Sequence, residues 1–269
     1  MYAQFMHILI KRVFGILMKR KLIISFASIV FVLAVYLGSA RKISVSNTVN
    51  GRELPIYSVE TDKKQVALSF DATWGNEYTK EILDILKKYN VKVTFFLTGD
   101  WVEKYPEDVK KILFLGHEVG NHSENHKAMS QISEEMCKQE ILSVHDKVKA
   151  LTGVDMDLFR APYGDYNDQL IKTAKACGYE VVQWSIDSLD WKEYGAKSVI
   201  KNVLENQELK NGAIILMHNG AKDTKDALES VILGLQRQGY EIVPISELIY
   251  KEDYRLDVTG RQFRDKNAF

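Results

Sequence analysis

The chain of 269 residues is long enough for one large domain or two small ones. Its hydrophobic fraction of 46% and charged fraction of 27% exclude wholesale disorder and a collagen-like or coiled-coil composition. The 36 basic and 36 acidic residues cancel overall, but residues 1–42 hold seven basic residues and no acidic one. The remainder therefore has 29 basic against 36 acidic residues, a formal charge of −7. This balance argues against nucleic acid as a partner, because phosphate binding needs clustered positive charge.

An uncharged run at residues 22–40 predicts a transmembrane anchor, preceded by a basic cytoplasmic segment at residues 1–21. As a helix with a rise of about 1.5 Å per residue, the run would span about 28 Å, close to a bilayer core. Five basic residues precede it and only Arg41 and Lys42 follow, so the N-terminus is predicted in the cytoplasm and the rest outside. Residues 38–40 offer small residues for signal cleavage and secretion. The run is longer than a usual signal segment, which favours an uncleaved anchor.

Residues 41–63 are polar and predict a linker, and beyond them strand-like and helix-like patterns alternate. Strands are predicted at residues 65–72, 91–99, 117–122, 158–164, 180–187, 212–219 and 241–245. Helices are predicted at residues 77–89, 100–116, 133–151, 167–177, 196–207, 223–238 and 246–251. Such alternation predicts parallel strands covered by helices, and six or seven units favour a distorted (β/α) barrel of about seven strands over a small open sheet. The catalytic domain is placed at residues 64–250, and residues 251–269 are predicted to be a frayed polar tail.

The two cysteines, Cys137 and Cys177, lie forty residues apart in predicted helices. One disulfide is possible in an oxidising exterior, but buried free thiols are favoured. Their spacing matches no zinc-binding pattern.

Polar residues gather at the predicted C-terminal ends of the strands, where active sites of α/β barrels form. These residues are Asp71, His122, His126, Arg160, Asp187, Asp190 and His218. One of them alone could be a helix cap or a hydrogen-bonded core histidine. Their recurrence at successive strand ends predicts an active site.

Five ordered segments, LSFDATWG, NHSENH, FRAPYG, IDSLDW and ILMHN, resemble the motifs of the NodB-type polysaccharide deacetylases, carbohydrate esterase family four. The resemblance covers about residues 64–250 and implies that family's distorted barrel and its deacetylase activity. The first segment has the form FD-x-x-WG, which is similar to a sporulation-associated, membrane-anchored branch of the family.

The resemblance assigns His122 and His126 to a divalent metal, zinc or alternatively cobalt or nickel. Two imidazoles four residues apart can reach one ion if the segment forms a helical turn; otherwise they are surface or capping histidines. The family places an aspartate at the position of Ala72 as a third ligand, and alanine cannot coordinate. Either Asp71 moves onto the metal, or waters complete a two-histidine site, or the metal is weakly bound.

The resemblance also implies the catalytic roles at the centre of the site. Asp71 matches the base that takes a proton from water, and Arg160 matches the arginine that keeps this carboxylate ionised. The main-chain N–H of Tyr163 would help to hold the developing oxyanion.

On the leaving-group side, His218 matches the general acid that protonates the departing amine. Asp190 resembles the partner that orients His218 and keeps it charged, with Trp191 lining the pocket. Asp187 is predicted to be structural. Trp74 and Trp101 suit stacking on sugar rings, although tryptophans also fill hydrophobic cores.

The favoured hypothesis is an anchored, extracytoplasmic hydrolase that removes N-acetyl groups from amino sugars of peptidoglycan or a related cell-wall polysaccharide during sporulation. The second hypothesis is a catalytically weak glycan-binding protein, which the alanine at position 72 favours. The third is a hydrolase of the same mechanism that acts on a non-sugar amide. The sequence leaves the sugar, the metal and the initiating methionine open.

Overall fold

The computed structural model describes residues 48–265. The predicted anchor at residues 22–40 and the basic segment before it lie outside the described residues. No helix within residues 48–265 is long and apolar enough to cross a membrane.

Thirteen strands and eight helices make up the described part of the chain. The strands are β1 (Thr48–Val49), β2 (Arg52–Glu53), β3 (Ser58–Val59), β4 (Gln65–Ala72), β5 (Thr94–Leu97), β6 (Glu118–Asn121), β7 (Leu158–Phe159), β8 (Glu180–Val181), β9 (Ile186–Asp187), β10 (Ile214–His218), β11 (Glu241–Ile242), β12 (Tyr254–Leu256) and β13 (Arg261–Arg264). The helices are α1 (Thr79–Lys88), α2 (Gly99–Lys104), α3 (Pro106–Phe114), α4 (Glu134–Thr152), α5 (Asp168–Ala176), α6 (Ala196–Leu204), α7 (Lys222–Arg237) and α8 (Ile245–Leu248). Short 3₁₀ turns occur at Met129–Gln131, Pro162–Gly164 and Asp190–Lys192.

Seven strands form one curled parallel sheet in the order β8-β7-β6-β5-β4-β10-β9, and β11 adds a further parallel pairing to β4. The sheet is a half-barrel covered by helices, which confirms the predicted parallel α/β architecture of about seven strands. Because all its strands run in one direction, their carboxyl ends share one edge, and side chains from distant parts of the sequence meet there.

The central strand β4 alternates between two hydrophobic layers. Val66, Leu68 and Phe70 belong to the larger cluster, whereas Ala67 belongs to a smaller cluster. The larger cluster also contains the apolar faces of the helices, so even-numbered residues of β4 face the helices and odd-numbered residues face the inside of the curled sheet. The last inward residue of the strand is Asp71, which places its carboxylate at the open end of the half-barrel.

Two predicted elements are divided in the structure. The helix expected over residues 100–116 breaks at Tyr105, because Pro106 has no N–H to donate and instead begins α3. The strand expected over residues 180–187 consists of the two-residue strands β8 and β9 with a connection between them. Both cysteines are free thiols, as predicted.

The predicted frayed tail is wrong for the residues that the structure describes. Strands β12 and β13 form an antiparallel hairpin, and β13 pairs with β3. The fully buried amide of Gln262 donates to the Tyr250 carbonyl at 2.6 Å and accepts from the Tyr250 N–H at 2.8 Å. The sequence concealed this hairpin because its buried anchor is a polar side chain.

The end of the predicted linker also belongs to the folded domain. The Ile56 N–H donates to Val181 O at 2.8 Å, and the Val59 N–H donates to Gly212 O at 2.9 Å. Both apolar side chains are buried. The segment before β4 is therefore part of the domain core rather than a spacer.

Candidate active site

The register of the sheet gathers the predicted catalytic residues. Asp71 on β4 lies directly beside His218 at the end of β10 and beside Phe96 on β5. His122 follows the last residue of β6, and Arg160 follows the last residue of β7. These side chains meet at the carboxyl edge of the sheet, although they lie up to 147 positions apart in the sequence.

Asp71 and Arg160 form a buried ion pair at the centre of the site. Arg160 Nη1 donates to Asp71 Oδ1 at 2.7 Å, and the guanidinium lies 4.1 Å from the centre of the Phe96 ring. Burial favours the neutral carboxyl, but the positive charge and hydrogen bond of Arg160, together with His218, outweigh burial and lower the pKa of Asp71. Asp71 is therefore a carboxylate at neutral pH, as a general base requires.

His122 is fixed by its own backbone neighbourhood. Its Nδ1 lies 2.8 Å from the Arg160 carbonyl oxygen, which can only accept, so Nδ1 carries the proton. Its Nε2 is then unprotonated and lies 3.4 Å from Asp71 Oδ2. Burial lowers the pKa of His122 despite the nearby carboxylate, so the ring is neutral. A neutral imidazole held through Nδ1 by a carbonyl is the form in which histidine binds a metal.

His126 approaches His122 through an irregular loop rather than through the helical turn considered from the sequence. Ser123 and His126 both have positive φ, 65° and 52°. The His126 N–H donates to Ser123 Oγ at 3.1 Å, and the centres of the two imidazole rings are 5.0 Å apart. Burial, together with His122, lowers the pKa of His126 to about 4, so this ring is neutral as well.

The donor set fits part of a divalent metal site. His126 Nδ1 is buried without a hydrogen-bond partner among residues 48–265, so it is free to bind an ion, and Asp71 Oδ2 faces His122. However, the described part of the chain contains no group of three His, Cys, Asp or Glu residues arranged to hold a metal. Among the described residues, two neutral imidazoles could therefore bind an ion, but a third side-chain ligand is not in place.

Ala72 lies where the family pattern has an aspartate. Its methyl group is fully buried and belongs to the larger hydrophobic cluster. It is paired with Leu97 of β5, and strand alternation places it on the face opposite Asp71. The side chain of an aspartate at this position would therefore start in the hydrophobic layer beneath the site and would have to reach around the end of the strand to approach His122.

His218 is held by a second buried carboxylate. The ring nitrogen Nδ1 of His218 lies 2.7 Å from Asp190 Oδ1, and the main-chain N–H of His218 donates to Asp190 Oδ2 at 2.7 Å. Thr224 Oγ1 donates to the same Oδ2 at 2.6 Å. Burial opposes a charge on His218, but the hydrogen bond and charge of Asp190, with Asp71 and Asp187, raise its pKa. The arrangement favours an imidazolium whose second nitrogen can donate a proton in the cleft.

Asp187 Oδ1 accepts from the Leu189 N–H at 2.8 Å in the turn before Asp190, and its structural role stays a prediction. Thr224 was missed. It lies on α7 and carries no signal in the sequence that links it to the site.

A cleft of ≈ 280 Å³ opens over these groups. It is lined by Asp71, Trp74, Trp191, Glu193, His218, Gly220 and Ala221. Trp74 is 62% exposed and Trp191 is 54% exposed, so both can meet a ligand. Trp101 does not, because it is fully buried and its Nε1 donates to the Gly75 carbonyl at 2.7 Å.

Tyr163 lies next to His126, with ring centres 4.4 Å apart. It has φ 61° within the turn Pro162–Gly164, and its side chain is largely exposed. The oxyanion role of its main-chain N–H stays a prediction.

Comparison with known proteins places this geometry in context. A family model described as polysaccharide deacetylase matches residues 58–182. The chain is 34% identical over 204 residues to peptidoglycan-N-acetylmuramic acid deacetylase PdaA of Bacillus subtilis, covering 74% of this chain and 77% of that protein. It is 37% identical over 198 residues to a peptidoglycan-N-acetylglucosamine deacetylase of Bacillus cereus, covering 72% of this chain and 92% of that protein.

Among solved structures, the chain resembles a CE4 family pseudoenzyme from Bacillus anthracis with a TM-score of 0.70 and 34% identity, covering 78% of this chain and 73% of that one. A mutant of that pseudoenzyme, described as having restored enzymatic activity, gives a TM-score of 0.69 and 36% identity, covering 72% and 71% of the two chains.

Proposed function

The chain belongs to the NodB-type polysaccharide deacetylases of the CE4 family, hydrolases that act on amide C–N bonds, and we propose that it removes N-acetyl groups from amino sugars of peptidoglycan. The observation that carries this proposal is the pairing in one cleft of a carboxylate, Asp71, whose pKa is lowered, with an imidazole, His218, whose pKa is raised. Amide hydrolysis needs a base for water and an acid for the departing amine, and environments that push two pKa values apart assign these roles.

Asp71 is the base in this proposal. Its Oδ1 is occupied by Arg160, whereas Oδ2 faces His122, so Oδ2 is the oxygen that can accept a proton from water. The Arg160 charge keeps Asp71 ionised before the reaction. The same charge makes the protonated state costly, which favours release of the proton afterwards.

His218 is the acid. Its bond to Asp190 holds Nδ1 inward and leaves the other ring nitrogen toward the cleft that Asp71 also lines. Proton donation to the departing nitrogen lets it leave as a neutral amine instead of as an amide anion, which is a poor leaving group. The Tyr163 N–H is the proposed oxyanion donor, and Trp74 and Trp191 are the proposed surfaces for the sugar ring.

CE4 deacetylases are generally metal-dependent, and His122 and His126 are the residues that would hold a divalent ion, proposed as zinc, with Asp71 in reach. Such an ion polarises the carbonyl oxygen and lowers the pKa of bound water. Both imidazoles are neutral at pH 7, as metal binding requires.

A second candidate function is favoured by Ala72. Loss of the family's carboxylate ligand would weaken metal binding, and a CE4 pseudoenzyme is among the similar structures. In that case the cleft would bind glycan with little turnover. The retained Asp71, Arg160 and His218 set favours the hydrolase.

The setting proposed for this activity is the outer face of a membrane, during sporulation. The charge-free run at residues 22–40 and the excess of basic residues before it support an anchor with the N-terminus in the cytoplasm.

Acetate release from peptidoglycan fragments, measured with and without added zinc, tests the proposal. If the protein is the proposed hydrolase, we expect acetate release that a chelator abolishes and added zinc restores. His218→Ala should also abolish this release. Binding of the fragments without acetate release under any metal condition would instead favour the glycan-binding alternative. Release from simple non-sugar acetamides but not from the fragments would exclude the sugar substrate.

A further inference from the structure

The loop that carries His126, residues 122–128, is held in an unfavourable conformation. We call this segment the histidine loop. It contains no regular helix or strand, and two of its side-chain-bearing residues, Ser123 and His126, lie at positive φ. Such conformations persist only where surrounding contacts fix them. The position of the His126 ring therefore depends on groups outside the loop.

Main-chain hydrogen bonds from α2 hold the first half of the loop, at Ser123 and Glu124, and Glu140 on α4 holds the part around His126. Its Oε2 accepts from the Asn125 N–H at 2.8 Å, and its Oε1 accepts from Asn125 Nδ2 at 2.8 Å. Lys127 Nζ lies 2.8 Å from the same Oε1. Asn125 and Lys127 directly flank His126, so one carboxylate grips the loop on both sides of the imidazole.

The chemistry of the contact requires a carboxylate. Glu140 is only 4% exposed, and burial alone would favour its neutral form. The bonds from Lys127 and Asn125 outweigh burial and lower the pKa of Glu140, so both oxygens accept at neutral pH. A glutamine of the same shape would turn an NH₂ group toward one of these donors.

Glu140 acts at a distance from the reaction. It is absent from the residues that line the cleft, and none of its described hydrogen bonds reaches Asp71, His122 or His218. The contacts of Glu140 can therefore affect a bound ion only through the histidine loop, and the uncharged substitution Asn125→Ala tests this route without changing the local charge.

We propose that Glu140 is a positioning residue that fixes the histidine loop so that His126 faces His122 and can bind a divalent ion with it. The inference rests on the proposed metal-dependent function and adds the group that sets the geometry of the metal site. Outer contacts of this kind commonly change metal affinity by about 10–100-fold when they are lost.

The test uses the full-length protein and two variants, Glu140→Gln and Asn125→Ala. Zinc affinity is measured by calorimetry, and hydrogen exchange of peptides spanning residues 122–128 is measured by mass spectrometry without metal. Both variants should speed exchange in the histidine loop and weaken zinc binding by at least about tenfold. Asn125→Ala alters the same contact from its solvent-exposed partner. This variant therefore tests the role of the contact even if Glu140→Gln fails to fold.

Glu53→Gln is the matched control. Glu53 is also a buried glutamate paired with a lysine, Lys175 at 2.9 Å, but it lies on β2 and contacts α5. Its substitution should leave loop exchange and zinc affinity unchanged even if the melting temperature falls. The double variant Glu140→Gln with Asn125→Ala should bind zinc as tightly as the single variant of lower zinc affinity, because both substitutions act through one contact.

Unchanged loop exchange in both variants would overturn the inference, as would faster exchange with wild-type zinc affinity. A wild-type protein that binds no zinc would overturn the proposed metal-dependent function, and with it the metal-positioning role of Glu140. Loop exchange in the variants would then still show whether Glu140 holds the loop.

Discussion

Two buried ion pairs of opposite purpose lie side by side in the site. Arg160 stabilises the negative charge of Asp71, and Asp190 stabilises the positive charge of His218. Each partner outweighs a burial effect that would otherwise remove the charge. The pKa values of Asp71 and His218 are therefore shifted in opposite directions, as the proposed base and the proposed acid would need for both to work at one pH.

The first prediction concerns the partner of His218. Asp190→Asn removes the charge that raises the pKa of His218 through a direct 2.7 Å hydrogen bond, so this pKa should fall. The titration of the His218 ring by NMR measures it. Asp187→Asn is the control on the same turn and should cause a smaller decrease. Equal shifts in the two variants would contradict the assignment of Asp190 as the main partner.

The same ion pair makes stability depend on pH. A raised pKa in the folded state means that the pair stabilises the fold fully below the unfolded pKa of histidine, about 6.5, and that this contribution is lost as the pH rises through the folded pKa. The stability difference between wild type and Asp190→Asn should therefore be largest below about pH 6.5 and should shrink at higher pH.

The second prediction separates metal ligands from the acid. His122→Ala and His126→Ala should each abolish stoichiometric zinc binding, because each removes one of the two imidazoles proposed to hold the ion. His218→Ala should leave metal content unchanged and remove turnover. Elemental analysis of the purified variants measures the first effect and acetate release the second. Wild-type zinc content in either His122→Ala or His126→Ala would show that the ion binds elsewhere.

At the scale of elements, the end of strand β4 decides how complete the metal site is. Ala72→Asp would supply the carboxylate that the family pattern has at this position. In the metal-free protein the new carboxyl would lie in the hydrophobic layer, where an unpaired polar group costs about 1–3 kcal/mol. We therefore expect the metal-free variant to melt at a lower temperature than the wild type.

Zinc should reverse this loss if the new side chain reaches the ion around the end of the strand. A third, anionic ligand should then strengthen zinc binding by at least about tenfold, or ~1.4 kcal/mol. Calorimetric titration beside thermal melts with and without zinc measures both effects, and Ala72→Asn controls for burial of a polar group without charge. Wild-type affinity in a folded Ala72→Asp variant would show that the site does not use position 72.

Elements with a strong apolar pattern could be predicted from the sequence. The run at residues 65–72 coincides with β4, because a strand buried on both faces is continuously hydrophobic. Helix α4 begins where Ser133 predicts, since its Oγ accepts from the Met136 N–H at 3.3 Å. The meeting of Asp71, Arg160 and His218 could be predicted from the strand ends, because parallel strands bring their carboxyl ends to one edge.

Elements without such a pattern could not be predicted. Strands β8 and β9 have two residues each, too few to show a period. The approach of His126 to His122 depends on positive φ at two non-glycine residues, a conformation that neither residue type announces. Glu140 contacts Asn125, 15 positions earlier, from a buried position on its helix. A glutamate at a solvent-facing position of the same helix would look no different in the sequence, so this contact could not be predicted.

At the scale of the whole molecule, the fourth prediction concerns topology. The basic segment and apolar run predict that residues 43–269 lie outside the cytoplasm and stay with the membrane fraction. Protease should therefore degrade the domain on intact protoplasts as readily as in lysates. Protection of the domain in intact protoplasts would contradict this orientation, and recovery of the domain in the medium would indicate cleavage after residue 40.

The last prediction concerns the limits of the folded domain. The sequence motifs predict a domain at residues 64–250. However, β3, which precedes this range, pairs with β13 of the hairpin that follows it. Ile56, Val59 and Leu256 bury their side chains in the smaller hydrophobic cluster inside the curled sheet. The two chain segments therefore close the fold together.

A chain truncated to residues 64–250 should be much less stable than one spanning residues 48–265. Fully burying an aliphatic side chain stabilises a fold by about 1.5–3 kcal/mol, so losing Ile56, Val59 and Leu256 together costs about 5 kcal/mol or more. In a domain of this size about 1 kcal/mol shifts the melting temperature by about 2–4 °C, which predicts a decrease of at least about 10 °C. Calorimetry of the two chains measures the difference, and Leu256→Ala in the longer chain should reproduce part of it. Equal melting temperatures would mean that the hairpin only rests on a domain that is complete without it.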